Sequence, residues 1–331
     1  MPEGILLLLP VLLLILAAEF VNGWTDAPNA IATVVSTRVL SPSQAVVMAA
    51  VLNTAGAIVT GTAVAATIGK GIVSPEVIGL PVVAAAMLTI IIWSTVAWVY
   101  GIPTSESHEL IAGLTGAGLA VAGPSVLLWE GWQKVLIGLG ISTFLGFFLG
   151  AGIMTALYWL LRRIRPSFIR KAFSRLQIIS AAFMAFSHGS NDGQKFMGVF
   201  ALALMLGGVM TEFTIPIWVM LLCGAVMALG TAFGGWRIIH TMGFKITKLE
   251  PVNGFAAETA GGLSILIASA FGIPLSTTHC IGASIMGVGA TQRFSAVRWG
   301  VAGNIVLTWV LTFPVCGILG YFFAWLLGII F

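Results

Sequence analysis

Apolar runs recur along this chain from one end to the other, at 5–18, 45–68, 80–99, 135–161, 215–233, 261–271 and 301–331. Several reach or exceed the roughly 20 residues that carry a helix across bilayer hydrocarbon. That solvent cannot satisfy free N–H and C=O groups, which leaves helices or a closed barrel. A barrel would alternate apolar and polar residues within short segments, and these runs are continuous. An all-α polytopic membrane protein is therefore expected. Composition agrees, with only 8% of the 331 residues charged against about 25% in a soluble domain. The opening residues Met1 to Gly4 carry Glu3 and no Lys or Arg, unlike the basic start of a cleaved signal. The first run is thus expected to stay as a span. Cys223, Cys280 and Cys316 are far apart in apolar sequence, which fits buried small side chains rather than disulfides or a metal cluster. No basic tail points to nucleic acid.

The chain also repeats itself. Phe20 to Asp26 (FVNGWTD) aligns with Phe186 to Asp192 (FSHGSND), and Gly101 to His108 (GIPTSESH) aligns with Gly272 to His279 (GIPLSTTH). Between them, Gly56 and Gly61 have counterparts in Gly224 and Gly230. Landmarks in the same order and at nearly constant spacing indicate a duplicated unit. The expected division is a first repeat at 1–161, a basic cytoplasmic linker at 162–175 and a second repeat at 176–331.

Lys and Arg placement sets the orientation, because cytoplasmic loops hold the excess. Each half is read as five crossings: 4–39 (interrupted), 43–66, 79–99, 104–122 and 133–161, then 174–207 (interrupted), 214–233, 252–271, 275–290 and 298–331. With both termini outside, twelve of the fifteen basic residues fall in inside loops, among them Arg162, Arg163, Arg165, Arg170, Lys171 and Arg175. Lys70 and Lys134 stay outside, and Lys195 lies in a motif. Five is odd, so the second copy enters from the opposite face. The result is an inverted-topology repeat, an architecture typical of secondary transporters. The segments 104–122 and 275–290 are short enough to be half-helices, and 237–250 reads as an interfacial loop.

Each repeat opens with a long apolar segment broken by polar residues: Asn22, Thr25, Asp26 and Asn29 in the first, His188, Asn191, Asp192, Gln194 and Lys195 in the second. An ionised Asp in mid-bilayer costs about 2.5–3.5 kcal/mol, so two at equivalent places need partners. Gly23, Pro28, Gly189 and Gly193 are expected to interrupt the helices and free backbone carbonyls. Carbonyls with a carboxylate suit a hard cation such as Na⁺, and a buried Asp is an alternative proton carrier. A polar helix–helix contact would explain one Asp as well; the pair favours function.

The second repeated motif has a different logic. Pro followed by Ser or Thr marks a helix start, so Thr104, Ser105, Glu106 and Ser107, and likewise Ser276, Thr277 and Thr278, open the helices over 110–122 and 281–289. A helix N-terminus presents free N–H donors and about half a positive charge, which suits an oxyanion. Inversion would bring both starts to one point, where hydroxyls and amides from both sides meet a tetrahedral anion. His108, flanked by Glu106 and Glu109, invites a metal. Their repeat partners Thr277 and Cys280 do not complete a ligand set, so orienting hydrogen bonds are expected of His108 and His279. His188 reads as a polar lining residue, and Lys195, opposite Asn29 in the alignment, as a charge partner for Asp192. Glu258 reads equally as a second cation ligand or a packing contact.

At these motifs the sequence resembles the inorganic phosphate transporter (PiT) family. The stretches Ser187–Lys195 and Gly272–His279 look like its signature segments, and Gly254–Thr259 has a similar flavour. The likeness implies a phosphate symporter driven by Na⁺ or H⁺, in the plasma membrane, with a central anion site and no bound cofactor. A homo-oligomer is left open. The first copy departs from the family pattern, with Thr25 where Asn precedes Asp, Pro28, and Ser-Glu-Ser-His at 105–108. Residue by residue, the cation is expected at Asp26, Asn29, Asn191, Asp192 and Glu258, with Asp26 and Asp192 as Na⁺ ligands if sodium is coupled. The anion is expected at Thr104, Ser105, Ser107, Gln194, Ser276, Thr277 and Thr278. Sulfate is the alternative cargo; an intramembrane metalloenzyme using His108, His188 and His279, or a passive anion channel, are readings from other classes.

Overall fold

The computed structural model describes residues 3–74 and 76–330. Among them all regular structure is helical, apart from an isolated bridge between Val73 and Leu127. The first half contains α1 (Glu3–Thr25), a 3₁₀ turn (Ala27–Ala30), α2 (Ala32–Ser36), α3 (Pro42–Val59), α4 (Ala63–Lys70), α5 (Leu80–Val99), α6 (Glu106–Ala122) and α7 (Trp129–Leu161). The second contains α8 (Pro166–His188), a π turn (Gly189–Gly193), α9 (Gln194–Leu206), α10 (Ile217–Gly234), α11 (Trp236–His240), a second π turn (Thr241–Lys245), α12 (Pro251–Ala270), α13 (Thr277–Gln292) and α14 (Trp299–Ile330). The order of long and short helices is the same in both. Among the described residues, six stretches are long and apolar enough to cross a membrane: Leu7–Ala30, Pro42–Val59, Leu80–Val99, Trp129–Leu161, Ile217–Gly234 and Trp299–Ile329. Large apolar side chains such as Phe144, Phe148, Phe233 and Ile318 point outward from them, as lipid-facing residues do.

Local sequence explains where these helices start. Ser41 caps α3 in a reciprocal pair with Gln44, and Pro42 occupies the first turn, where its missing N–H costs nothing. Glu250 and Asn253 do the same for α12, with Pro251 in the first turn. Gly101 and Gly272, just beyond α5 and α12, have φ of 65° and 63°. Side chains disfavour that left-handed region, so both copies need glycine there to turn the chain into the Ile-Pro step. The helices that follow, α6 and α13, have 17 and 16 residues. At 1.5 Å per residue they span only about 25 Å, as the short segments in the sequence suggest. Both are buried along most of their length.

The halves clasp each other reciprocally. Helix α6 packs on α14 while α13 packs on α7, and α1 packs on α10 while α8 packs on α3. Small residues make these contacts close: Gly116 meets the Gly317 backbone, Gly320 meets Gly113, and Gly287 meets Phe147. Without a hydrophobic drive between helices in lipid, such approaches supply the van der Waals attraction. Gly189 lies on Asn53 and Gly193 on Ala57, while Gly230 lies on Phe20 and Gly234 on Trp24, so the same close approaches tie the end of α8 to α3 and α10 to α1.

Three expectations change. The second opening segment is not broken at Gly189 and Gly193; α8 continues through the π turn into α9. Only the first copy breaks, because Pro28 cannot donate an N–H and the chain tightens into a 3₁₀ turn. The segment 237–250 is no simple loop: α11 and the turn after it bury Ile238, Ile239, Thr241 and Met242 and pack beside α2. Helix α8 begins at Pro166, so the connection between the halves is residues 162–165 and Arg170, Lys171 and Arg175 ride on its first turns.

Candidate functional site

Four segments that are distant in sequence meet at the centre: the α1–α2 break, the π turn, and the starts of α6 and α13. Asp26 sits at the head of the 3₁₀ turn and Asp192 inside the π turn. Both are buried, as are Asn29, Ser107, Lys195, Thr277 and Thr278. Thr277 Oγ1 bridges the two acids, lying 3.3 Å from Asp26 Oδ2 and donating also to Asp192. Thr278 donates to Asp26 through a very short contact. Asn29 Nδ2 lies 2.8 Å from Asp26 Oδ1 and 3.0 Å from Thr278 Oγ1. Lys195 pairs with Asp192 and donates to Ser107; its Nζ is also 3.3 Å from the Leu275 carbonyl, which accepts from Ser107 at 3.1 Å. Asp26 is thus bound directly by the helix start of the other half, whereas Asp192 is bound by Thr277 of its own half and linked to the start of α6 through Lys195.

Around this knot lie polar atoms without protein partners. The hydroxyls of Thr104 and Ser105, Asn29 Oδ1 and Glu106 Oε2 are buried and unbonded. Ser276 is engaged in capping α13, accepting from the His279 N–H at 3.2 Å. His188 Nε2 comes within 3.0 Å of Asp192 Oδ2, although it is not aligned as a hydrogen-bond donor. Asp26, His188 and Asp192 offer ligand atoms all within 4.8 Å of one another. That set suits a cation better than the His108 and His279 pair does. Instead of orienting hydrogen bonds, those two rings meet edge-on with centroids 4.6 Å apart, and His279 stacks on Trp309 at 3.9 Å. Their burial among Trp309 and Phe313 makes them packing pieces between α6, α13 and α14.

Three of the residues singled out from sequence are not brought to the centre. Gln194 turns towards α4, accepting from the Val64 N–H at 3.1 Å and donating to Thr60 at 3.2 Å. Asn191 donates to Ser269 at 3.0 Å and to the Ile273 carbonyl at 3.3 Å. Glu258 belongs to a separate buried cluster, accepting from Thr33 at 2.6 Å, from Gln177 at 3.0 Å and from Ser180. In the other direction, sequence reasoning gave Glu106 and Glu109 no part in the site beyond flanking His108 and, for Glu106, marking a helix start. Ser94 donates to both, and Thr25, next to Asp26, donates to Glu106. The signal was present: two acids in an apolar stretch, one standing where the other copy has Thr277.

Residues 22–320 match the sequence family described as "Phosphate transporter family". The chain belongs to that family. Among its relatives, a probable low-affinity inorganic phosphate transporter of Rhizobium meliloti (strain 1021) is 48% identical over 91% of this chain and 90% of its own length. Another of that description, from Bacillus subtilis (strain 168), is 42% identical over 99% of both. A solved structure entitled "The sodium-dependent phosphate transporter" shares the fold, with a TM-score of 0.89 covering 98% of this chain and 100% of that one at 24% identity. Phosphate transporter family members are transporters and not enzymes, which removes the metalloenzyme reading. The helical, multi-pass architecture expected from the apolar runs is that of the family.

Proposed function

We propose that this phosphate transporter family member is a symporter, carrying inorganic phosphate together with Na⁺ or protons by alternating access at the plasma membrane. The observation that carries the proposal is the pair of cross-half contacts, Asp26 with Thr277 and Thr278, and Ser107 with the Lys195 that pairs with Asp192. Phosphate is held by the hydroxyl-bearing starts of α6 and α13, through Thr104, Ser105, Ser107, Ser276, Thr277 and Thr278. Their free amides and partial positive charge favour an oxyanion. The cation is held at Asp26 with Asn29, and Asp192 and His188 adjoin it. The repeats, on either side of the 162–165 connection, form an inverted pair, supported by the five crossings read in each half. Both termini lie outside on this reading, supported by the Lys and Arg excess in the opposite loops.

Alternating access follows from the bonding. The Asp26 contacts with Thr277 and Thr278 and the Lys195 contact with Ser107 join one half to the other, so loading cation and anion changes the contacts that hold the halves together. The buried centre represents a state closed to both sides. The description of the relatives as inorganic phosphate transporters favours phosphate over sulfate as cargo. Radiolabelled phosphate uptake into proteoliposomes, under an imposed Na⁺ gradient and separately under a proton gradient, tests the reading. Concentrative uptake under at least one gradient, unaffected by excess sulfate, is expected. Equilibration without concentration under either gradient would instead identify a passive pathway.

A further inference from the structure

The two buried Asp residues of the central site have matching neighbours, and the one three residues on is neutral in the first half and charged in the second. In the first half, Asp26 receives the Asn29 amide, and Asn29 also reaches Thr278 of the opposite helix start. In the second half, Asp192 receives the Lys195 ammonium, and Lys195 also reaches Ser107 of the opposite helix start. The sequence alignment pairs Asn29 with Lys195, and Thr278 with Ser107. The same three positions therefore form a triangle in each half, once with a neutral amide and once with a cation, although Thr278 also donates to its acid whereas Ser107 donates to the Leu275 carbonyl. The first triangle keeps unbonded buried oxygens beside the acid, Asn29 Oδ1 and the neighbouring Glu106 Oε2. Glu106 lies within electrostatic range of Asp26. In the second triangle the ammonium donates to Asp192 and Ser107 and approaches the Leu275 carbonyl, so the place among these oxygens is filled.

We propose that Lys195 is a tethered cation: it permanently occupies the half of the site that, in the Asp26 triangle, is open to a transported cation. The chain thereby couples one cation fewer to each phosphate than its duplicated frame would otherwise hold. This rests on the symport reading and specifies its stoichiometry. The physical reason is charge balance. A buried carboxylate without a counter-charge is costly, and a lysine three residues away on the same helical turn supplies one that never dissociates. It still lends its charge to an anion at the Ser107 end of α6. The first copy has no such residue of its own, so Asp26 and Glu106, which feel the Lys195 charge only from across the site, can take a cation from solution.

The test converts one triangle into the other in the full-length protein. Lys195→Asn restores the residue of the first copy, and Asn29→Lys places a tethered charge in the first copy. Lys195→Arg keeps the positive charge as a control. Limiting phosphate accumulation is measured in proteoliposomes at zero potential, using whichever of the Na⁺ and proton gradients drives the unaltered protein. Each additional coupled cation raises accumulation about tenfold under a roughly tenfold cation gradient, because each tenfold ratio is worth about 1.4 kcal/mol. The proposal expects Lys195→Asn to gain one such step, with steeper cation dependence, and Lys195→Arg to keep the original stoichiometry. Asn29→Lys should lose one step. If Lys195→Asn is inactive or does not fold, the Asn29→Lys result decides. Unchanged stoichiometry in both variants overturns the proposal, as does a Lys195→Asn protein that only binds phosphate more weakly, since that marks Lys195 as an anion ligand. Failure of both gradients to drive the unaltered protein would instead sink the symport reading itself.

Discussion

The two opening segments descend from one sequence pattern yet present their acids by different backbones. Around Asp26 the helix stops at Thr25, tightens into a 3₁₀ turn at Pro28 and restarts. Around Asp192 the helix never stops and instead takes one wide π turn between Gly189 and Gly193. Proline enforces the first solution by removing a donor, whereas glycine lets the second helix swell without losing its path. A broken helix and a swollen one can both turn a carboxylate inward. What differs is the counter-charge, which the continuous helix carries itself as Lys195.

That contrast can be broken most directly at the acids. Asp192→Asn strands a buried lysine, and removing one partner of a buried pair costs about 3–5 kcal/mol. Its thermal unfolding midpoint in detergent should fall well below that of Asp26→Asn, whose partners are neutral. A compensating Lys195→Met should recover most of the loss. Equal midpoints for the two Asp variants would erase the distinction. Both single variants are expected to insert but lose gradient-driven phosphate uptake, and normal uptake in either removes that acid from the mechanism.

Glu258 sharpens the comparison next, because it has no acidic counterpart in the first copy. Its carboxylate gathers Thr33, Gln177 and Ser180, joining α2 to α8. Glu258→Gln should lower stability by about 1.5–3 kcal/mol, the scale of hydrogen bonds to a charged group, while gradient-driven uptake persists. Complete loss of uptake in a stable Glu258→Gln protein would return this residue to the cation pathway. A Cβ at Gly189 would collide with the Asn53 backbone where α8 crosses α3. Gly189→Ala should cost about 1–3 kcal/mol by overpacking, read as a lowered unfolding midpoint. An unshifted midpoint would show that the π turn has slack. The smallest effects belong to Gly101→Ala and Gly272→Ala, each losing about 1–2 kcal/mol for a left-handed residue. Matching losses are expected, and unequal ones would show that the two turns are not equivalent.

Much of the architecture could be read from the residues themselves. The apolar runs announced helices in lipid, and the duplicated motifs located both acids and both hydroxyl-rich helix starts. Helix starts marked by proline and a hydroxyl residue, as at Ser105 and Ser276, lay close to where capping chemistry puts them. The central site was only partly legible. Asp26, Asn29, Asp192, Ser107, Thr277 and Thr278 converge as their pattern suggested, but Gln194 and Asn191, one or two positions from Asp192, face other helices. A wide turn rotates each residue differently from an α-helix, so neighbours in sequence part company in direction. Glu106 and Glu109 were overlooked for a similar reason: their partner Ser94 comes from the preceding helix, α5, and carries no distinguishing pattern.

The amino-acid order alone determined that this protein lives in a membrane, that it is built twice, and which polar groups must be buried, because hydrophobicity, duplication and chain-breaking residues act locally. Only the tertiary structure decided which hydroxyl meets which acid and which acid already holds a positive charge. Those contacts join Asp26 to Thr277 and Asp192 to Ser107 by way of Lys195, across halves whose mutual placement depends on close glycine packing. No local pattern encodes such a placement; it emerges only when helices from both halves share one buried volume and every polar atom there competes for a partner.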